Sequence, residues 1–126
     1  ENNLIDGRVA EKIGDRVVVD AGFATIAVDS GGMGAGIGDA VSVSIRSELF
    51  RLLDNDDVAD DTLQTIPANY VEAVYLGLTT SHLVKLANGS EFAVRRLSDA
   101  DPNASFAPGQ QVSIGWRTKD ARLHKD

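Results

Sequence analysis

Gly38-Asp39-Ala40-Val41-Ser42-Val43-Ser44-Ile45-Arg46-Ser47-Glu48-Leu49-Phe50-Arg51-Leu52-Leu53 decides how the chain is read. Residues 41–46 alternate strictly, with Val41, Val43 and Ile45 on one side and Ser42, Ser44 and Arg46 on the other. That period of two is the mark of a half-buried strand. The apolar run 49–53 that follows is short enough to be one or two turns of helix over Glu48–Leu53. The same pattern returns 71 residues later as Gly109-Gln110-Gln111-Val112-Ser113-Ile114-Gly115-Trp116-Arg117. Glycine, valine, serine and arginine recur in register, Trp116 takes the inward place of Ile45, and Arg122-Leu123 answers Arg51-Leu52. The matched spacing predicts an internal repeat.

Working outward, residues 4–10 and 15–20 read as strands, and Ala21-Gly22 turns the chain into an alternating segment, 23–29. Ile66–Leu76 is a long strand candidate. Segments 81–86 and 91–97 flank Asn88-Gly89, a two-residue hairpin signal. Pro108-Gly109 opens the last strand. No apolar stripe of helical period persists for three turns. The expectation is an all-β domain over residues 1–126, an OB-fold-like barrel made of two quasi-repeats, about 1–53 and 65–126. An acidic linker, 54–64, joins them.

Composition narrows the function classes. The chain has 126 residues, 43% of them hydrophobic, which suits one globular domain. No apolar run approaches 18 residues, so no transmembrane helix is expected. The N-terminus, Glu1-Asn2-Asn3, has no methionine, basic region or apolar region, and the chain is expected to be cut from a longer protein. The absence of cysteine removes disulfide, thiol and cysteine–zinc chemistry. The net charge of −7 is concentrated: residues 54–61 hold five aspartates, and without them 14 acidic residues would face 12 basic ones. Neither a basic face nor a basic-aromatic cluster supports nucleic-acid binding.

Candidate catalytic motifs fail in their details. The glycine-rich stretch 30–38 runs into Asp39-Ala40 and a strand, whereas a phosphate loop needs Gly-Lys-Ser/Thr and a helix. The aspartate run lacks the central glycine and the terminal glutamate of a calcium loop, and reads as a solvated linker. His82, at the start of a strand, and His124, near the frayed terminus, are isolated, so no metal site is expected. No serine elbow occurs. The chain is therefore expected to be a non-enzyme without cofactor or metal. Arg46, Glu48 and Arg117 remain as candidate ligand or interface residues. They lie on the non-core side of the matched strands, where they either pair across the barrel rim or face a partner or small ligand.

The order Gly38-Asp39-x-Val41-x-Val43-Ser44-Ile45-Arg46-x-Glu48, with Gly77, Asn88-Gly89 and Gly109-x-x-Val112-x-Ile114-x-Trp116, resembles the signature of TOBE domains. These lie at the C-terminus of ATP-binding subunits of ABC importers, here the polyamine and iron branch. The resemblance covers nearly the whole chain. Besides an unusually long and acidic linker, two features depart from it. Ser47 stands where the family usually has proline, and the Ser-Ala-Arg-Asn-type motif of molybdate-binding relatives is missing, which lowers an oxyanion-storage role. The resemblance implies a non-catalytic regulatory and dimer-stabilising domain. Its partners would be the ATPase domain of the same parent chain, a second copy of the subunit and, indirectly, the permease. Its place would be cytoplasmic, peripheral at the inner face of the membrane. Coupling to uptake of a small solute such as a polyamine is implied too. The alternative is a free-standing barrel that binds an oxyanion or a polyamine.

Overall fold

The computed structural model describes residues 2–32, 34–53, 62–98 and 106–125. The first half contains β1 (Asn2–Ile13), β2 (Arg16–Asp20), β3 (Thr25–Asp29) and β4 (Ala40–Arg46), then a 3-10 turn, Ser47–Leu49, and β5 (Arg51–Leu53). The second half repeats the order with β6 (Leu63–Tyr75), β7 (Thr79–Lys85), β8 (Glu91–Leu97), β9 (Gln111–Arg117), a 3-10 turn, Thr118–Asp120, and β10 (Arg122–Lys125). The expected helical turns over Glu48–Leu53 are thus one 3-10 turn and a strand. Leu63 and Gln64, expected in the linker, already belong to β6, and residues 54–61 fall outside the described residues.

All ladders are antiparallel, and they form two five-stranded sheets, β10-β4-β1-β2-β3 and β5-β9-β6-β7-β8. The orders are equivalent under exchange of the halves. Each half hands its short last strand to the other. Arg51 pairs with Gly115 in one sheet, and Arg122 pairs with Ser44 in the other. This crossover explains why 51–53 is extended. Those residues must meet the free edge of β9, and Phe50, 1% exposed, anchors them in the core. The repeat extends to irregularities, since a bulge interrupts β1 between Val9 and Glu11 and β6 between Tyr70 and Glu72.

The core lies between the two sheets. Ile45 and Trp116 are both buried, at 1% and 0% exposure, as the repeat requires. Trp116 meets Phe50 edge-on, with centroids 5.8 Å apart at 87°. Strand β4 departs from simple alternation: Ser42 and Ser44 are buried as well. It runs between β10 and β1, and its outward hydroxyls lie under neighbouring side chains. Ser42 donates to Asp6 at 2.7 Å, and Ser44 lies 2.8 Å from Nε2 of His124. His124 is therefore held in a ladder rather than frayed, and His82 lies in the middle of β7 rather than at its start.

The Asn-Gly signal also resolves differently. Leu86 and Ser90 close the hairpin around three residues, and Gly89 alone has positive φ, at 89°. A two-residue type I′ turn would need positive φ at Asn88 too. Instead Asn88 Oδ1 accepts the Ser90 N–H at 3.0 Å.

Two side-chain amides fasten the halves together. The buried Asn3 carboxamide of β1 meets Ala93 on the outer edge of β8: Oδ1 accepts the Ala93 N–H and Nδ2 donates to the Ala93 carbonyl, both at 3.3 Å. Nδ2 also lies 3.3 Å from Ser47 Oγ. The equivalent residue, Gln64 of β6, accepts the N–H of Ala27 in β3 at 3.0 Å and donates to Thr118 at 3.3 Å. Each amide thus covers an otherwise open sheet edge.

Candidate functional site

The crossover of β5 and β10 also arranges the three candidate charges. Arg46 closes β4 and Arg117 closes β9, each just before a 3-10 turn. Glu48, on the first turn, is carried by the crossover toward the second half, where it shares a groove with Arg51 and Arg117. Arg46 stays in a separate groove, with Arg122 and His124. The structure therefore brings Glu48 and Arg117 together and leaves Arg46 apart. Among the described residues none of the three forms an ion pair. Arg117 donates to the Thr62 hydroxyl at 2.8 Å, and Arg46 and Glu48 are exposed.

The glycine-rich loop ends as a tight turn. Gly38 has φ 91°, and the Asp39 carboxylate accepts the Gly36 N–H at 2.8 Å while meeting Lys125 at 3.4 Å. These contacts, the Gly36 hydrogen bond foremost, hold the Asp39 pKa below the usual carboxylate value. The Gly36 amide thus serves a carboxylate of the chain itself, and the loop opens into β4 rather than a helix. Among the described residues no group of three or more His, Asp or Glu side chains could hold a metal ion.

A further site was not legible from motifs. The open end of the second sheet encloses about 460 Å³ between its two edge strands, β5 and β8. Arg51, His82, Arg96, Tyr75 and Phe106 are among its walls. Tyr70 OH lies 3.0 Å from His82 Nδ1, and the Tyr70 ring stacks obliquely on Phe106 with centroids 5.4 Å apart. Burial lowers the His82 pKa, helped by the positive charge of Arg96, and so favours the neutral imidazole. Burial likewise raises the Tyr70 pKa, followed by the charges of Tyr75 and Glu72. Phe106 lies in the loop before β9 and the others in ordinary strand context, so only the comparison of the two halves could have singled them out.

Three curated relatives, all spermidine/putrescine import ATP-binding proteins PotA, match along nearly the whole chain. The protein from Rubrobacter xylanophilus is 29% identical over 97% of this chain and 30% of its own length. The Ruegeria pomeroyi protein is 28% identical over 100% of this chain and 32% of its own. The Roseobacter denitrificans protein is 30% identical over 98% and 33% respectively. The chain thus spans about a third of the length of these relatives. Among solved structures, the molybdate-bound form of the cytoplasmic molybdate-binding protein ModG superposes with a TM-score of 0.82. It covers 98% of this chain and 96% of that one at 14% identity, a likeness of fold alone. No helix among the described residues is long and apolar enough to cross a membrane. Residues 37–123, which run from the glycine turn before β4 into β10, match the TOBE domain family, and the chain belongs to it.

Proposed function

We propose that the chain is the non-catalytic accessory domain of an ABC importer's ATP-binding subunit. In this reading it stabilises the pairing of two subunits and couples to uptake of a small solute such as a polyamine. The observation that carries the reading is the match of 97–100% of this chain to about a third of three polyamine import ATP-binding proteins. The remaining two-thirds of such a subunit would supply the ATPase. The chain's own glycine loop suits that division, since it presents neither a lysine nor a helix N-terminus to a triphosphate. The partners would be the ATPase domain of the same polypeptide, a second subunit and, through them, the permease. The complex would place the domain at the cytoplasmic face of the membrane. Arg46, Glu48 and Arg117 are the proposed contact charges. Exposed charges at such rims set register and specificity between surfaces more than affinity.

The likeness to ModG favours a second reading, a barrel that itself binds a small ligand. One set of measurements tests the first. Arg46→Glu and Arg117→Glu are introduced into the full ATP-binding subunit, which is reconstituted with its permease, and substrate-stimulated ATP hydrolysis is followed. The accessory reading expects altered stimulation with an unchanged melting curve of the domain. Unchanged stimulation in both variants removes the assigned role of these arginines. ATP binding by the isolated 126-residue chain would overturn the non-catalytic reading altogether.

A further inference from the structure

The two halves give an internal control for what the fold itself needs. Strand registers equate Val9 with Tyr70: each exchanges backbone hydrogen bonds with the turn before the next long strand, Val9 with Gly38 and Asp39, Tyr70 with Gly109 and Gln110. They equate Val17 with His82, since Val17 pairs with Lys12 and Val28 where His82 pairs with Ala73 and Val94. The 71-residue offset equates Ala35 with Phe106. In the first half Val9, Val17 and Ala35 are fully buried and seal that end of the sheet. In the second half the same three places hold a tyrosine, a histidine and a phenylalanine: His82 and Phe106 line an open cavity, and the buried Tyr70 backs both of them. The architecture works with Val, Val and Ala, so the polar-aromatic set is not a folding requirement.

We propose that this open end of the second sheet binds a small organic carboxylate with an apolar body. Charge gives the sign of the ligand. In a chain of net charge −7, the described lining holds two arginines, Arg51 and Arg96, and no carboxylate. Neither arginine forms an ion pair among the described residues, and a guanidinium is a planar fork that suits a carboxylate. Among the described residues these walls offer a polyamine no counter-charge. The remaining walls give the shape. Tyr75 and Leu97 are 77% and 61% exposed beside Phe106, an apolar lip that water covers poorly. A volume of about 460 Å³ accommodates a small ligand. The Tyr70–His82 bond fixes the imidazole in the wall. This inference stands apart from the transporter reading, because it rests on the two halves of one chain.

The test is an NMR titration of the 126-residue chain with benzoate and hexanoate, with spermidine and inorganic phosphate in parallel. Benzoate or hexanoate should shift the amides of Thr80, His82, Arg96 and Leu97 saturably. The Arg51→Gln/Arg96→Gln double variant should bind at least tenfold more weakly with an unchanged melting temperature. The Tyr70→Phe/His82→Val variant, which restores the first half's valine and leaves no orphaned hydroxyl partner, should fold and bind several-fold more weakly. Absence of saturable shifts, undiminished affinity in the arginine variant, or spermidine acting on the same amides would overturn the proposal. Phosphate binding as tightly as benzoate would overturn the apolar part of it.

Discussion

Replacing Asn3 by alanine tests whether one side chain joins the two halves. The Asn3 carboxamide acts on β8 as a short stand-in strand, accepting from the Ala93 N–H and donating to its carbonyl, both at 3.3 Å. Asn3 and Ala93 are both buried, so water cannot take over these bonds. A buried backbone group left without a partner costs about 1–3 kcal/mol, and long bonds sit at the low end, so two orphaned groups put Asn3→Ala at about 2–4 kcal/mol. The equivalent change, Gln64→Ala, leaves one backbone group without its partner, the N–H of Ala27, in a half-buried setting that water can reach, and removes a long 3.3 Å bond to the Thr118 hydroxyl. That change should cost about 1 kcal/mol or less. Urea unfolding followed by tryptophan fluorescence measures both, because Trp116 is the single tryptophan and lies between the sheets. The midpoint should fall while the denaturant slope stays constant. A loss below about 1 kcal/mol for Asn3→Ala, or one no larger than that of Gln64→Ala, refutes the reasoning, since the bond energies at issue are themselves of that size.

Three further outcomes are expected. Trp116→Ala should cost about 3–5 kcal/mol. Trp116→Phe should lie within about 1 kcal/mol of the parent by calorimetry, because the buried indole N–H has no acceptor among the described residues and its removal offsets the small void. Gly7→Ala should destabilise by about 1–3 kcal/mol through overpacking, since the added Cβ would sit 2.6 Å from the Asp20 carbonyl oxygen; an unshifted melting temperature would show that β1 and β2 can part to admit it. Stability should fall on acidification. His82 has a folded pKa below 6.5, so the unfolded chain takes up its proton first and stability drops as pH falls through that value; Asp39, with a folded pKa below 3.8, adds a loss at still lower pH. Melting temperatures between pH 8 and 5 measure the first effect, and His82→Val should flatten that slope.

Much of this molecule was written in local pattern. Period-two alternation marked the strands, and the matched glycine, valine, serine and arginine at an offset of 71 marked the repeat, because side-chain direction in a strand depends only on adjacent residues. Ile45 and Trp116 could be placed in the core for that reason. What the sequence left open depended on which strands meet. Residues 51–53 read as a possible helical turn, since a three-residue strand has no period to recognise, and only the free edge of β9 makes it extended. Glu48 and Arg117 share a groove, and Arg46 does not, because the last strand of each half crosses to the other sheet. Asn3 and Gln64 lie in plain strand sequence; their value comes from edges 90 and 37 residues away. His82 looked isolated along the chain, yet the bulged ladder of β6 and β7 sets it against Tyr70, 12 residues upstream. Local stereochemistry fixes what each strand is, and long-range pairing, which no short window contains, decides which charges and rings come to face one another.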